Sequence, residues 1–168
     1  MQKFIFIFFI LIITQACTVK FTTNAVDYDV IKTFSVQQFD TKAAQAPPTA
    51  GQQFSEQLKN KILSDTRLSY LPSKGDIQFK GDVVGYQIAP VAPGADQVAS
   101  FQRLTVRLKI DLKNIKDKEN INQNWNNEFS RFADFAADED LSSVEDQLIQ
   151  EIYDQVMEDV FNKAFAGW

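Results

Sequence analysis

The stretch FQRLTVRLKIDLKN, residues 101–114, alternates between apolar and polar side chains over most of its length. The apolar positions of one parity are Leu104, Val106, Leu108, Ile110 and Leu112. A period of two is typical of a β-strand with one buried face and one solvated face. Because a sheet that is covered on both faces would lack the polar side, this strand predicts an antiparallel sheet with one open face.

Two amphipathic helices are predicted, one on each side of the strand region in the sequence. The first has an apolar residue at every fourth position: Phe54, Leu58 and Ile62. The second has a longer apolar stripe: Leu141, Val144, Leu148, Ile152, Val156 and Val160. Near the start of each helix, the spacing of Thr49 with Gln52 and of Ser142 with Glu145 predicts a capping box.

Three further segments have the character of strands. Residues 31–39 alternate weakly and predict an edge strand, and residues 77–88 change parity between Val83 and Val84, which predicts a bulge. For the third segment, core packing is the default reading of its aromatic side chains and a partner surface is the alternative. These aromatics are Trp125, Phe129, Phe132 and Phe135.

The order of elements is β-α-β-β-β-α. This order predicts one α+β domain over residues 31–168, a two-layer sandwich in which a mostly antiparallel four-stranded sheet carries two amphipathic helices on one face.

The absence of histidine from the sequence excludes several classes of enzyme. Ser-His-Asp and Cys-His nucleophiles need an imidazole base, and most catalytic zinc sites use histidine ligands. No Asp-x-Asp-x-Asp-Gly calcium loop occurs either. We therefore predict no enzyme activity, no metal and no cofactor. The alternative is a hydrolase with paired carboxylates, for which Asp76 and Asp82 are the best candidates.

The amino terminus has the parts of a secretory signal peptide: Lys3, ten consecutive apolar residues at positions 4–13, and Ala16 before Cys17. Ten helical residues rise only about 15 Å, roughly half a bilayer core, so a permanent membrane span is not expected. Cys17 is the only cysteine of the sequence, so it has no disulfide partner within the chain.

The position of Cys17 is similar to that of the cysteine in the bacterial lipobox. Ala16 matches the residue that precedes the cysteine in that motif, whereas Thr14 and Gln15 depart from its first two positions. The resemblance implies removal of residues 1–16, attachment of acyl chains such as palmitate at Cys17, and a lipidated tether over residues 17–30. The alternatives are a buried core helix and a signal peptide with an incidental cysteine.

Six segments carry a wider resemblance: TFSVQQF, FSEQLKNKI, LSYLPSKGDIQFKGDVVGYQIAP, RLTVRLKIDLKN, FSRFADF and EDVFNKAFAGW. Together they resemble the LptE family, the lipopolysaccharide-assembly outer-membrane lipoproteins, in the form found in Bacteroidetes. The resemblance implies a non-enzymatic α+β domain, anchored in the outer membrane and facing the periplasm. It also implies assembly with the LptD β-barrel translocon, which the lipoprotein plugs, and help in moving lipopolysaccharide to the outer leaflet.

The residues alone leave a second class open, a lipid-anchored periplasmic binding or scaffold domain with another envelope partner. No nucleic-acid partner is expected.

Charge is distributed unevenly along the chain. Residues 103–118 contain six basic and two acidic side chains, whereas residues 134–159 contain ten acidic side chains and no basic one. Arg103, Arg107 and Lys109 share one strand parity, so they predict a cationic stripe that binds the anionic phosphates of lipopolysaccharide. The alternative is a charged face that serves solubility and discourages edge pairing.

Overall fold

In this computed structural model, the structure describes residues 28–92, 100–116 and 124–166. The predicted signal peptide and the predicted anchor Cys17 lie outside these residues. The described residues form six strands, two helices and a closing π-helical turn. The elements are β1 (Thr33–Val36), β2 (Asp40–Thr41), α1 (Ala50–Asp65), β3 (Ser69–Tyr70), β4 (Ile77–Val91), β5 (Phe101–Asn114), β6 (Trp125–Ala136), α2 (Leu141–Phe161) and the turn Asn162–Ala166.

The six strands in the described part of the chain form one mixed sheet. The strands β4, β5 and β6 are an antiparallel meander. At one side of it, β1 runs parallel to β4, with Phe34 opposite Ile77, and β3 runs parallel to β1. The short strand β2 continues alongside β4 beyond the end of β1, also in the parallel direction.

The predicted four-stranded, mostly antiparallel sheet is therefore wrong in strand number and in direction at this side. The two strands that the prediction missed, β2 and β3, have two residues each, which is too short for alternation to be visible. The helix α1 returns the chain to its starting end, so the strands on either side of it run parallel. The predicted edge strand β1 is not an edge, because β3 pairs with its outer side.

The alternation in β5 is confirmed. All five apolar side chains of the predicted buried parity are no more than 2% exposed. Both helices pack on this face: the ring of Tyr153 in α2 meets the ring of Phe54 in α1 edge-on, with 5.1 Å between centroids. The Tyr153 hydroxyl also donates a hydrogen bond of 2.9 Å to the carbonyl oxygen of Ala50. The predicted α+β layers, with two helices on one face, are thus present.

The bulge predicted at the parity change of β4 is also confirmed. The register between β4 and β5 shifts between Val83 and Gly85. The buried side chains therefore have odd numbers up to Val83, whereas Tyr86, with an even number, is buried after the shift. An extra residue on one strand reverses the face to which later side chains point.

Both predicted capping boxes are wrong. Thr49 precedes α1, but its side chain makes no capping bond, and the N–H of Gly51 is bound instead by the hydroxyl of Thr41 at 2.9 Å. The cap of α2 is Asp140, which accepts the N–H of Ser142 at 3.2 Å. In both cases a group outside the predicted pair satisfies a free N–H of the first helical turn.

Between β1 and β2 the chain leaves the ladder and inserts Phe39 into the core. The Ser55 hydroxyl accepts the N–H of Phe39 and donates to the carbonyl oxygen of Gly51, both at 2.8 Å. A side chain at Gly51 would collide with the Phe39 backbone, and one at Gly81 would collide with the Phe39 ring. Phe39 therefore occupies space that two glycines leave open.

Candidate functional site

The open face of the β4–β5–β6 meander holds all three residues of the predicted cationic stripe. Arg103, Arg107 and Lys109 project from β5 on the side opposite its buried apolar residues, away from both helices. We call this surface the outer face. The parity argument therefore placed the three side chains on one face, as predicted.

Arg103 is held by a neighbouring strand. Its guanidinium donates two hydrogen bonds to Asp134 of β6, from Nε to Oδ1 at 2.7 Å and from Nη2 to Oδ2 at 2.8 Å. The guanidinium carbon also lies 3.6 Å from the ring centroid of Phe132. The hydrogen bonds raise the pKa of Arg103 and lower the pKa of Asp134. Two parallel bonds and a stacking ring fix the orientation of this side chain.

Arg107 has a similar arrangement with a longer bond. Its Nη1 lies 3.2 Å from a carboxylate oxygen of Glu128 in β6. The guanidinium lies over Gly85 at the bulge, where any side chain would collide with it. The glycine thus lets the arginine lie flat across β4.

Lys109 differs from the two arginines, because it forms no ion pair with another described side chain. It borders a shallow cavity of about 320 Å³. The charged side chains that share this cavity with it are Asp40, Lys80, Asp82 and Asp111. Lys109 is therefore the unpaired cation of the stripe, but it has carboxylates close by.

The partners of the stripe are the residues that sequence reasoning missed. Asp134 and Glu128 neutralise Arg103 and Arg107, so an anionic ligand on this face must compete with two carboxylates. Sequence reasoning missed these partners because they depend on the register between β5 and β6. The alternation of residues within a single strand does not determine that register. The default reading of core packing is wrong for Phe132, because this side chain is 45% exposed and lies under the Arg103 guanidinium.

The remaining aromatic side chains of β6 pack in or against the core, as predicted by default. Phe135 is 5% exposed and belongs to the core. Trp125 and Phe129 are partly buried against it and meet edge-on, with 5.7 Å between ring centroids.

The carboxylates proposed for a hydrolase do not form a catalytic pair. Asp76 and Asp82 lie six residues apart along β4, which is about 20 Å of extended strand. Paired carboxylates of glycosidases lie about 5–9.5 Å apart. Asp82 is bound instead by Lys42 at 2.7 Å. Within the described residues, no group of three or more His, Cys, Asp or Glu side chains could hold a metal ion.

Asp76 has a structural role. Its Oδ2 accepts the backbone N–H groups of Lys32 and Thr33, at 2.9 and 3.0 Å. Burial alone would raise the pKa of this carboxyl, but the hydrogen bonds from Lys32, Thr33 and Lys116 outweigh it, so the pKa is lowered. The carboxylate thereby joins the start of β1 to the start of β4.

Comparison with known protein families shows to which family the chain belongs. A family model described as LptE, lipopolysaccharide-assembly, matches residues 31–164. The chain belongs to the LptE family. The resemblance found in the sequence is thereby confirmed, and the LptE family is a family of non-enzymatic, envelope-associated lipoproteins of lipopolysaccharide assembly.

The chain is similar at low sequence identity to several solved bacterial structures. A minor lipoprotein of Acinetobacter baumannii is 12% identical, with a TM-score of 0.49, over 80% of this chain and 92% of that chain. The dodecamer of a leucine-to-methionine variant of PelC from Paraburkholderia phytofirmans gives 15% identity and a TM-score of 0.45, over 82% of this chain and 89% of that chain. Neither likeness bears on function at these TM-scores. No curated protein matches this LptE chain.

None of the helices in the described part of the chain is both long enough and apolar enough to cross a bilayer.

Proposed function

We propose that this LptE-family chain is an outer-membrane lipoprotein that assembles with an LptD-type β-barrel, plugs it and aids the transport of lipopolysaccharide to the outer leaflet. The protein does so without enzyme activity, and its domain faces the periplasm. The observation that carries the proposal is the family match over residues 31–164, which spans every strand and both helices. No described helix or strand covers the outer face, so it offers such a domain a broad polar surface for a partner.

Capture of the protein from outer membranes tests the partnership. The chain is tagged at its carboxyl terminus, the membranes are solubilised in mild detergent, and the captured proteins are identified by mass. We expect a large β-barrel protein of LptD type, in an amount comparable to the tagged chain. An unrelated outer-membrane lipoprotein with the same tag is the control.

If the barrel is present in the solubilised membranes but absent from the captured material, the partnership is wrong. Capture of a different envelope protein in its place would favour the alternative of a periplasmic scaffold domain.

The anchor at Cys17 is part of the same proposal. A Cys17→Ala variant lacks the thiol that receives the acyl chains, so, once purified away from the barrel, it should no longer bind lipid vesicles. Each buried CH₂ of an acyl chain contributes about 0.8 kcal/mol to membrane binding, so the loss should be nearly complete. A purified variant that still binds vesicles stably would contradict the anchor.

The stripe of Arg103, Arg107 and Lys109 is proposed as a binding surface for lipopolysaccharide. The double variant Arg103→Glu with Arg107→Glu reverses two charges on the outer face and should weaken lipopolysaccharide binding, measured by co-precipitation of labelled lipopolysaccharide. Circular dichroism checks that the variant remains folded.

A matched control exists on α1. Lys59 and Lys61 are also paired with carboxylates, of Glu56 and Asp65, and each also lies over an aromatic ring. The change Lys59→Glu with Lys61→Glu alters the net charge equally, but away from the outer face. If both variants lose binding equally, or neither does, the stripe is not the binding surface.

A further inference from the structure

The end of the domain at which the described chain begins is a distinct surface. The bonds of Asp76 join β1 to β4 here, and its carboxylate also lies 3.4 Å from Lys116 Nζ. The Asp76 carbonyl oxygen accepts the N–H of Ile115, just after β5, at 2.9 Å. We call this end the entry pole; it comprises residues 28–32, the end of α1 with the following residues 63–67, the loop 71–76 and residues 113–116.

The entry pole is cationic. Its basic side chains are Lys32, Arg67, Lys74, Lys113 and Lys116. Its acidic side chains are Asp29, Asp65 and Asp76. Asp76 is enclosed by the bonds described, and Asp65 is paired with Lys61 at 2.9 Å. Lys74 and Lys113 form no ion pair with another described residue, so their charges are directed to solvent.

Exposed apolar side chains concentrate at the same pole. Among the described residues six large apolar side chains are exposed, and five of them lie on the segments of the entry pole. The five are Tyr28, Val30, Leu63, Leu71 and Ile115, which are between 36% and 47% exposed. Basic side chains mixed with exposed aromatic and aliphatic ones are typical of a surface that lies at a membrane interface.

A cavity of about 280 Å³ opens where the entry pole meets the outer face. Its polar lining includes Ser35, Ser73, Lys74, Gln78, Lys80 and Lys113. None of the described residues that line it is acidic. Ammonium and hydroxyl groups are donors that suit phosphate oxygens, so the cavity has the chemistry of a phosphate headgroup site.

The opposite end of the domain has the opposite charge. The end of β6, the turn after it and the start of α2 carry Asp134, Asp138, Glu139, Asp140, Glu145 and Asp146. The domain therefore has a basic end and an acidic end, and the tether joins it at the basic end.

We propose that, while the domain is not enclosed by the barrel, the entry pole lies against the anionic phosphate headgroups of the membrane that holds the anchor. This inference rests on the proposed function, because it requires acyl chains on Cys17. Eleven residues, 17–27, lead from the anchor to the pole, and even fully extended they span no more than about 40 Å. An anionic membrane attracts the basic entry pole and repels the acidic end. Contact with the membrane therefore orients the domain so that the first residues of α2 point away from the membrane.

The orientation is measurable because Cys17 is the only cysteine of the chain. When its thiol is acylated, a cysteine introduced elsewhere is the single site for a thiol-reactive fluorophore. Ser73→Cys places the label at the entry pole, and Ala137→Cys places it at the acidic end; both positions are exposed. The acylated proteins are reconstituted in vesicles of phosphatidylethanolamine and phosphatidylglycerol that contain a lipid with a headgroup-attached quencher.

We expect strong quenching of the label at position 73 and little at position 137. Adding Lys74→Glu with Lys113→Glu should reduce the quenching at position 73 to the level of position 137. The change Lys42→Glu with Arg131→Glu alters the net charge equally, at surface ion pairs outside both the entry pole and the stripe, and should leave the quenching at position 73 unchanged. Vesicles of phosphatidylcholine alone should also give a smaller difference between the two labels.

Equal quenching at both positions, in protein that stays on the vesicles, would overturn the orientation while leaving the anchor intact. Protein that leaves the vesicles, or that is labelled at Cys17, would overturn the anchor and with it this inference. If both charge-reversed variants lose quenching equally, net charge rather than the entry pole causes the attraction.

Discussion

The two faces of the β4–β5–β6 meander are built from the same strands but by different forces. The inner face consists of side chains such as Leu108 and Ile110, which are fully buried beneath the helices. The outer face consists of charged side chains that pair across strands, such as Arg107 with Glu128. Buried apolar packing stabilises a fold far more than exposed ion pairs do, so the inner face determines stability and the outer face is free to serve binding.

The sharpest test of this difference compares two consecutive residues of β5. Leu108→Ala removes a fully buried side chain between Val83 and Phe129 and should lower the free energy of unfolding by about 2–5 kcal/mol. Lys109→Ala, on the outer face, should change it by no more than about 0.5 kcal/mol. Urea unfolding followed by circular dichroism measures both. Similar losses for the two variants would mean that the outer face is covered.

Asp76 is an exception to the rule that apolar packing provides the stability and charged groups do not, because its carboxylate stabilises the fold. Asp76→Ala leaves the N–H groups of Lys32 and Thr33 without their acceptor and should cost about 2–3 kcal/mol at pH 7. The folded pKa of this carboxyl is lowered, so its contribution is present above the unfolded pKa of about 4 and is lost as the pH falls below it.

The difference in melting temperature between Asp76→Ala and the unmodified protein should therefore shrink between pH 7 and about pH 3. Asp82→Ala is the matched control, because Asp82 has a single lysine partner on the surface. A pH-independent difference would show that Asp76 acts through packing instead of charge.

The smallest expected effect concerns the ion pairs of the outer face. A double-mutant cycle of Arg107→Ala and Glu128→Ala should give a coupling of about 0–1 kcal/mol, which falls as salt is added. Thermal or urea unfolding of the four proteins gives the value. A coupling that exceeds this range and is insensitive to salt would show that the outer face contributes to stability as the core does.

The sequence was most informative where elements are long. Alternation in β5 and the four-residue spacing in both helices identified the inner face, because each pattern repeats several times. The same argument placed Arg103 and Arg107 together. Their partners were not predictable, since Asp134 and Glu128 come into reach only through the register between two strands, which depends on the connecting turn.

Short elements and tertiary caps account for the other errors. The strands β2 and β3 contain too few residues to show a period, and they are what makes the sheet mixed. The cap at Gly51 comes from Thr41, ten positions earlier, so no local pattern around Thr49 could reveal it. The entry pole, likewise, assembles from four separate segments.

Phe39, Gly51 and Gly81 have a consequence for the mutational tolerance of the domain. A Cβ atom at Gly51 would collide with the backbone carbonyl of Phe39, and one at Gly81 would collide with the backbone carbonyl of Lys109 as well as with the Phe39 ring. Shortening Phe39 alone leaves a cavity, and enlarging either glycine alone causes a collision. Because backbone atoms obstruct both glycines, a smaller side chain in place of Phe39 would not make room at Gly51 or Gly81, so the three positions are constrained independently of one another.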